Sequence, residues 1–350
     1  MKIALTFNFR HSKPSLKNKK AIEEAEFDSP ETIKGITKSL KKLGHKVFLI
    51  EADELAYLKL KKLKSKIDLV FNIAEGFGID REAQIPAMLE MLKIPYLGSK
   101  PLTQAICLNK AKTKEILSFH GIPTPKFQLF ETRDENLKKD LEFPLIVKPN
   151  CEGSSKGIFQ NSIVKNEKEL RKKVRDIIKN LNQPALVEEF LEGREFTISL
   201  IGNNPVDPVR DKSLNGVEIL PPVELNFSSL PKKFYPMDSY EVKWILDNPK
   251  NKIKTVICPA KIDKKLWKKI KEICLKTKKV LEILDWCRID LRLDKNGIPN
   301  ILEVNQIPGI IPDPKENSRF PLAARTAGYN FEEMLEKIIK SACERYDLSF

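Results

Sequence analysis

Histidine is scarce: the chain has 3 in 350 residues, scattered, which argues against a zinc centre. Its 6 cysteines, at positions 107, 151, 258, 274, 287 and 343, contain no CxxC pair and no other metal-ligand spacing. Scattered in this way they read as reduced, mostly buried thiols of an intracellular chain. No apolar run reaches the roughly 18 residues of a membrane-crossing helix. The opening stretch MKIALTFNFR is strand-like, has no cleavage site and is too short for a signal peptide, so the expected location is the cytoplasm. A Walker A loop is missing, which excludes that mode of phosphate binding. There is no internal repeat and no nucleic-acid-binding motif.

What is present is an ordinary globular balance, 41% hydrophobic and 31% charged, in a chain long enough for two or three domains. The net charge of +14 comes from lysines spread singly along the chain. The densest run, 261 to 279, places Leu266, Ile270, Ile273, Cys274, Thr277 and Leu281 at helical spacing with lysines between them. That predicts an amphipathic helix with a solvated lysine face, and the charge excess suits steering of anionic substrates. Strands alternate with helices up to about residue 97, which predicts an open α/β layer over 1–97. Within it Ser29, Pro30 and Gly44 frame a capped helix. A smaller unit follows over 98–187 and a third over 188–350.

The stretch RIDLRLDKNGIPNILEVNQIPG, from 288 to 309, reads as a hairpin around Asn296–Gly297. With a two-residue loop, Lys295 pairs with Ile298, Asp290 faces Glu303 and Arg288 faces Asn305. A solvated outer face is the plain alternative. Two facing carboxylates repel unless something neutralises them, and the spacing of Ile301 and Val304 suggests that both faces are enclosed. Two carboxylates and a carboxamide are hard oxygen ligands of the kind magnesium takes together with substrate phosphates. The phosphate grip is expected in FPLIVKPNCEGSSKGIF, where Lys148 ends an apolar strand before a Gly/Ser loop whose small residues let backbone N–H groups approach an anion. In LVEEFLEGREFTISL, Glu188 and Glu195 flank a Glu-Gly turn and suit an adenine amino group and ribose hydroxyls.

In this order, a lysine opening a helix (Lys110), a strand ending in Lys-Pro before EGSSKG, then EEFLEGREFT and finally RIDLRLD…LEVNQIPG resemble the ATP-grasp superfamily. Within it they resemble the D-alanine–D-alanine ligases, over nearly the whole chain. The resemblance implies a three-domain ATP-grasp architecture, α/β and in part α+β. It implies ATP and two magnesium ions, with manganese as a substitute. Lys110 and Lys148 would hold ATP phosphates, Ser154 and Ser155 would lie in the mobile loop over them, and Lys243 would close on the γ-phosphate. Glu188 would meet adenine and Glu195 ribose. Asp290, Glu303 and Asn305 would ligate the metal, with Arg288 and the Gly309 backbone N–H facing the tetrahedral intermediate. The partners implied are small amino-acid substrates, without nucleic acid or membrane, and related ligases form homodimers.

The departures gather at the amino-acid sites. Trp244 stands where the family has a tyrosine whose hydroxyl joins a serine and a glutamate in the substrate network. Glu75-Gly76 replaces the usual His-Gly, and Asn109-Lys110 the usual Asp-Lys. The loop after Gly309 is longer and charged; Ser318 is the candidate for the serine that receives a substrate carboxylate, with Lys315 or Arg319 as alternative anion grips. Glu26 is the candidate partner of the first amino group. Three readings stay open: a D-alanine–D-alanine ligase acting in peptidoglycan precursor synthesis, a related ligase with other substrates, and a basic nucleic-acid-binding protein that uses nucleotide for regulation.

Overall fold

The first long helix forms where its caps predict. Ser29 accepts a bond from the Thr32 N–H, Pro30 opens the first turn, and the helix Pro30–Lys42 stops before Gly44 at φ 82°. In the computed structural model, every residue is described except 14, 17, 204–215, 248–252 and 254. Three sheets organise the chain. The first holds β1 (Lys2–Phe7), β2 (Lys46–Glu51), β3 (Leu69–Asn72) and β4 (Tyr96–Leu97), all parallel, in the order β2-β1-β3-β4. Parallel strands require crossovers, and helices such as Pro30–Lys42 and Gln84–Leu92 supply them.

The second sheet is antiparallel: β5 (Phe127–Phe130), β6 (Leu145–Pro149), β7 (Ile163–Val164) and β8 (Ala185–Glu189), in the order β5-β8-β6-β7. The helix Glu167–Leu181 covers it, burying Leu170, Val174 and Ile177. β8 runs past the boundary expected at 187. The third sheet contains β9 (Glu195–Gly202), β10 (Val217–Ile219), β11 (Val223–Leu225), β12 (Val256–Ile257), β13 (Trp286–Leu293) and β14 (Pro299–Asn305). β13 lies between β9 and β14, and all eight of its residues are buried. The Glu192-Gly193 connection therefore passes from the second sheet into the third rather than closing a hairpin.

Behind the third sheet, the lysine-rich helix Lys264–Val280 buries Ile270, Cys274 and Thr277 as its spacing predicts. Lys278 departs from the solvated-face expectation. It is fully buried, and its ammonium donates to the Ile283 carbonyl at 2.6 Å. The helices Arg319–Thr326 and Phe331–Arg345 fold back over the first sheet, so Ile3, Leu5 and Phe71 share one core with Phe320, Met334 and Ile338.

Candidate active site

The β13–β14 hairpin delivers the acid patch by a route the sequence does not suggest. Asp294 N–H donates to the Ile298 carbonyl and Gly297 N–H to the Asp294 carbonyl, each at 3.0 Å. The loop is thus three residues, 295–297, with Gly297 at φ 71° in the left-handed position such loops require. The two-residue loop expected above is incorrect, because the Asp294 carboxylate caps the turn by accepting from the N–H groups of Asn296 and Ile298. That places Leu291 opposite Ile301. A bulge then shifts the register between Asp290 and Leu291, and Asp290 faces Glu303 while Arg288 faces Asn305. The longer loop and the bulge cancel, so the expected facing pairs are present. The bulge also explains the spacing of the apolar residues: Ile301 and Val304 are both core, while Leu302 and Glu303 both turn to a cavity.

Around this patch the charges are paired. Arg288 grips Asp290 with Nε at 2.9 Å and Nη2 at 2.8 Å, and Thr197 on β9 donates to the same carboxylate at 2.5 Å. Burial works against the Asp290 charge, yet Arg288 holds its carboxyl well below the usual range. Asn305 reaches Asp290 at 3.1 Å and Glu303 at 3.5 Å through its amide nitrogen. Oxygen and nitrogen of such an amide exchange by a half-turn, and the turned form adds a third oxygen to the two carboxylates. Among the described residues no three His, Cys, Asp or Glu side chains converge as a metal site. The set nevertheless fits magnesium, which takes one or two carboxylates and completes its shell with phosphate oxygens and water.

Two cavities meet here. A cleft of about 1220 Å³ is lined by Glu26, Lys110, Ser154, Trp244, Arg288, Asn305, Gly309 and Ser318; a smaller cavity of about 90 Å³ is lined by Lys148, Ser155, Glu188, Glu195 and Asp290. Glu152, Lys243, Glu303 and Arg319 line both. Every candidate site residue except Lys315 therefore borders one cavity or the other; Lys315 sits on an exposed turn.

In the smaller cavity Glu188 is the post for two lysines. Its oxygens lie 2.5 Å from Lys148 Nζ and 2.9 Å from Lys114 Nζ. The sequence reading missed Lys114, although it stands four residues after Lys110 and so on the same helix face. Burial pushes the Lys114 ammonium down to about 8 despite Glu188. Glu195 pairs with Arg292 at 3.2 Å, but burial pushes its carboxyl up to about 7. Lys110 donates to the Glu152 carbonyl and lies 3.5 Å from Glu303.

The Gly/Ser loop closes the roof. Ser154 and Ser155 adopt φ 49° and 59°. Ser155 Oγ donates to the Asp238 carbonyl at 2.6 Å, and Trp244 Nε1 donates to the Ser154 carbonyl at 2.9 Å. Trp244 thus keeps a hydrogen bond to the loop even without a phenolic hydroxyl. Glu26 abuts the same loop: a Cβ at Gly153 would lie 2.2 Å from its Oε1, so a larger residue there would displace the Glu26 carboxylate. Glu26 is also held by Arg81 at 2.5 Å, a partner not foreseen. Asp28, Glu75 and Glu82 continue this acidic wall. Burial pushes Asp28 and Glu82 up to about 7 and, with Glu26 nearby, Glu75 well above its usual value. Ser318 Oγ is engaged within its own loop, donating to the Gly309 carbonyl and accepting from the Ile311 N–H, both at 3.0 Å.

The family model for the D-ala D-ala ligase C-terminus matches residues 116–340. An uncharacterized protein y4sG of Sinorhizobium fredii is 34% identical over 320 residues, spanning 89% of this chain and 87% of that one. The D-alanine–D-alanine ligase of Aquifex aeolicus is 35% identical over 313 residues, spanning 89% and 94%. In fold, the chain is similar to the D-alanine–D-alanine ligase of Bacillus anthracis solved with ATP, with a TM-score of 0.73 and 23% identity over 99% of both chains. It is also similar to the VanG D-Ala:D-Ser ligase of Enterococcus faecalis, with a TM-score of 0.71 and 21% identity over 97% and 99%.

Proposed function

The chain belongs to the D-alanine–D-alanine ligase family of ATP-grasp proteins, and from that premise we propose that it joins two D-alanine molecules with ATP, in the synthesis of peptidoglycan precursors. One observation carries the reading. The carboxylates of Asp290 and Glu303, the amide of Asn305, four cations (Lys110, Lys148, Lys243, Arg288) and a Gly/Ser loop face one pair of joined cavities.

The chemistry follows from that placement. The adenosine end of ATP enters the smaller cavity, with adenine beside Leu302 and Glu188 and the ribose towards Glu195, and the phosphates lie at its junction with the cleft. Lys110 and Lys148 hold the phosphates, and Ser154 and Ser155 cover them. Asp290, Glu303 and Asn305 would hold the magnesium ions, which would neutralise phosphate charge and polarise the phosphoryl group. The first amino acid sits in the cleft with its ammonium against Glu26. Its carboxylate attacks the γ-phosphorus, the bond to the β-phosphate oxygen breaks, and ADP leaves from an acylphosphate. The second amine then displaces phosphate. Negative charge grows on the former carbonyl oxygen, where Arg288 and the Gly309 N–H stabilise it; preorganised donors of this kind usually contribute more to catalysis than any other single effect.

A related ligase with another substrate is the second reading. Asp28, Glu75 and Glu82 give the cleft more carboxyl groups than one ammonium group needs as partners. ADP release measured across D- and L-amino acids, D-lactate and diamino acids decides between them. D-alanine-dependent ADP release with dipeptide formation supports the first reading. Release that depends on another substrate alone replaces it.

A further inference from the structure

The transferred phosphoryl group has one geometric requirement: it must touch both the nucleotide cavity and the substrate cleft. Among the described residues, Glu152, Lys243, Glu303 and Arg319 are the ones that line both. Glu303 belongs to the candidate metal set, and the Lys156 ammonium lies 2.9 Å from Glu152. Lys243 and Arg319 are the two cations at this junction. Lys243 forms no ion pair with a described residue; its ammonium lies 5.6 Å from the centre of the Trp244 ring. Arg319 is buried, and its one ion-pair partner among the described residues is Asp238 Oδ2, at 2.6 Å. Arg319 lies within electrostatic reach of Lys243, Arg288 and Asp290. Burial disfavours the Lys243 charge, and Arg319 beside it lowers the ammonium further, to about 8. Asp238 and Glu303 offset part of this repulsion; a phosphoryl group between the two cations would offset the rest, and a planar guanidinium suits its oxygens.

We propose that Arg319 is a phosphoryl-holding residue, which together with Lys243 grips the γ-phosphate as it passes from the nucleotide to the substrate carboxylate. This rests on the ligase reading above and assigns Arg319 a task other than the acceptor-carboxylate grip that its loop suggests. The loop matters because it brings Arg319 to the first turn of the helix Arg319–Thr326, while Ser318 ties the preceding turn to Gly309 and Ile311. In the transfer step the carboxylate oxygen–phosphorus bond forms, the phosphorus–β-oxygen bond breaks, and ADP leaves with the electron pair. No proton moves, so a permanent cation suits the position.

The test is equilibrium binding. Calorimetry with magnesium chloride gives dissociation constants for ADP and for adenylyl imidodiphosphate in the parent, Arg319→Ala and Arg319→Lys proteins. A lost charge-assisted bond to the γ-phosphate weakens the triphosphate analogue about tenfold or more in Arg319→Ala and leaves ADP within about twofold, with Arg319→Lys between. Equal weakening of both nucleotides, or of neither, overturns the proposal. So does a raised KM for the acceptor amino acid with unchanged affinity for the analogue. Should Arg319→Ala fail to fold, Asp238→Asn serves: it releases Arg319 from its partner and tightens the analogue relative to ADP by about threefold, and an unchanged ratio overturns the proposal. A parent that binds neither nucleotide defeats the ligase reading itself. A parent that binds both but joins no D-alanine corrects only the substrate.

Discussion

On Glu303 two cations and an amide converge. One oxygen lies 3.5 Å from Lys110, the other 4.0 Å from Arg288 and 3.5 Å from the Asn305 amide. Its side chain is 26% exposed, towards the cavities. Glu303→Gln keeps the shape and removes the charge, so turnover of ATP falls by more than about 100-fold, beyond the cost of losing a residue that only orients a ligand, with little change in melting temperature. Steady-state kinetics and a thermal melt check it; turnover within about twofold of the parent would reduce the hairpin to a structural face. Lys243 gives a pH signature. Its ammonium, pushed down to about 8 mainly by burial and by Arg319, is charged below that value and neutral above it. Accordingly kcat/KM for ATP falls as pH rises through about 8, and Lys243→Arg moves that alkaline limb up by more than about one unit, since arginine stays charged. An unmoved limb assigns the titration to another group. The patch residues were legible because hairpin alternation places Arg288, Asp290, Glu303 and Asn305 together. Arg81 and Asp238 were not, because their partners Glu26 and Arg319 stand 55 and 81 residues away and no local pattern marks such pairs.

Among the elements, β14 has a specific use for its bulge. The extra residue puts Leu302 beside Glu303 on the cavity side, which in the proposed reading gives the nucleotide an apolar neighbour next to a candidate metal ligand. Leu302→Ala removes that contact and weakens ADP binding by about threefold to tenfold, on the scale of a few buried methyl or methylene groups, with the far-ultraviolet circular dichroism unchanged. Unchanged ADP affinity would place adenine elsewhere. The irregularity was visible but not its cause: Ile301 and Val304 are both apolar but three apart, which regular alternation does not allow, and the spacing alone reads as two enclosed faces rather than as a bulge. The location of the bulge was not legible, because the turn length that fixes the register depends on the Asp294 side chain. Strands and capped helices with strong periodicity appeared where expected, while the helix Arg319–Thr326 lay hidden in what reads as a long charged loop. Between elements, the Gly/Ser loop is tied to the 235–244 segment through Trp244, Ser155 and the Tyr240 N–H, which donates to Ile158 at 2.8 Å. Trp244→Phe deletes one tie, worth about 1 kcal/mol. Limited proteolysis of the nucleotide-free protein then cuts within 153–158 faster than in the parent; equal rates would show that Trp244 does not hold the roof.

At the scale of the whole molecule, the acidic wall predicts how stability depends on pH. Asp28, Glu82 and Glu195 are pushed up to about 7 and Glu75 well above its usual value, in each case chiefly by burial. Unfolded, these carboxyls titrate near 4. Between those values the folded chain holds more protons than the unfolded one, so stability falls as pH rises through the window. His45, lowered mainly by burial, works the other way near 6.5, one group against four. The nucleotide-free protein therefore melts at a higher temperature at pH 5 than at pH 7.5, as a calorimetric scan will show; a rising melting temperature would mean that these carboxyls stay ionised in the fold. A different consequence follows from the core in which Ile3 and Leu5 lie with Met334 and Ile338. A ribosome makes β1 first and the helix Phe331–Arg345 roughly 300 residues later, about fifteen seconds to a minute at ordinary elongation rates. For that interval the nascent chain carries a finished strand without its cover, while the second sheet, whose strands span only 127–189, has all of its own partners. The middle of the molecule is thus able to fold on the ribosome, and its beginning has to wait for its end.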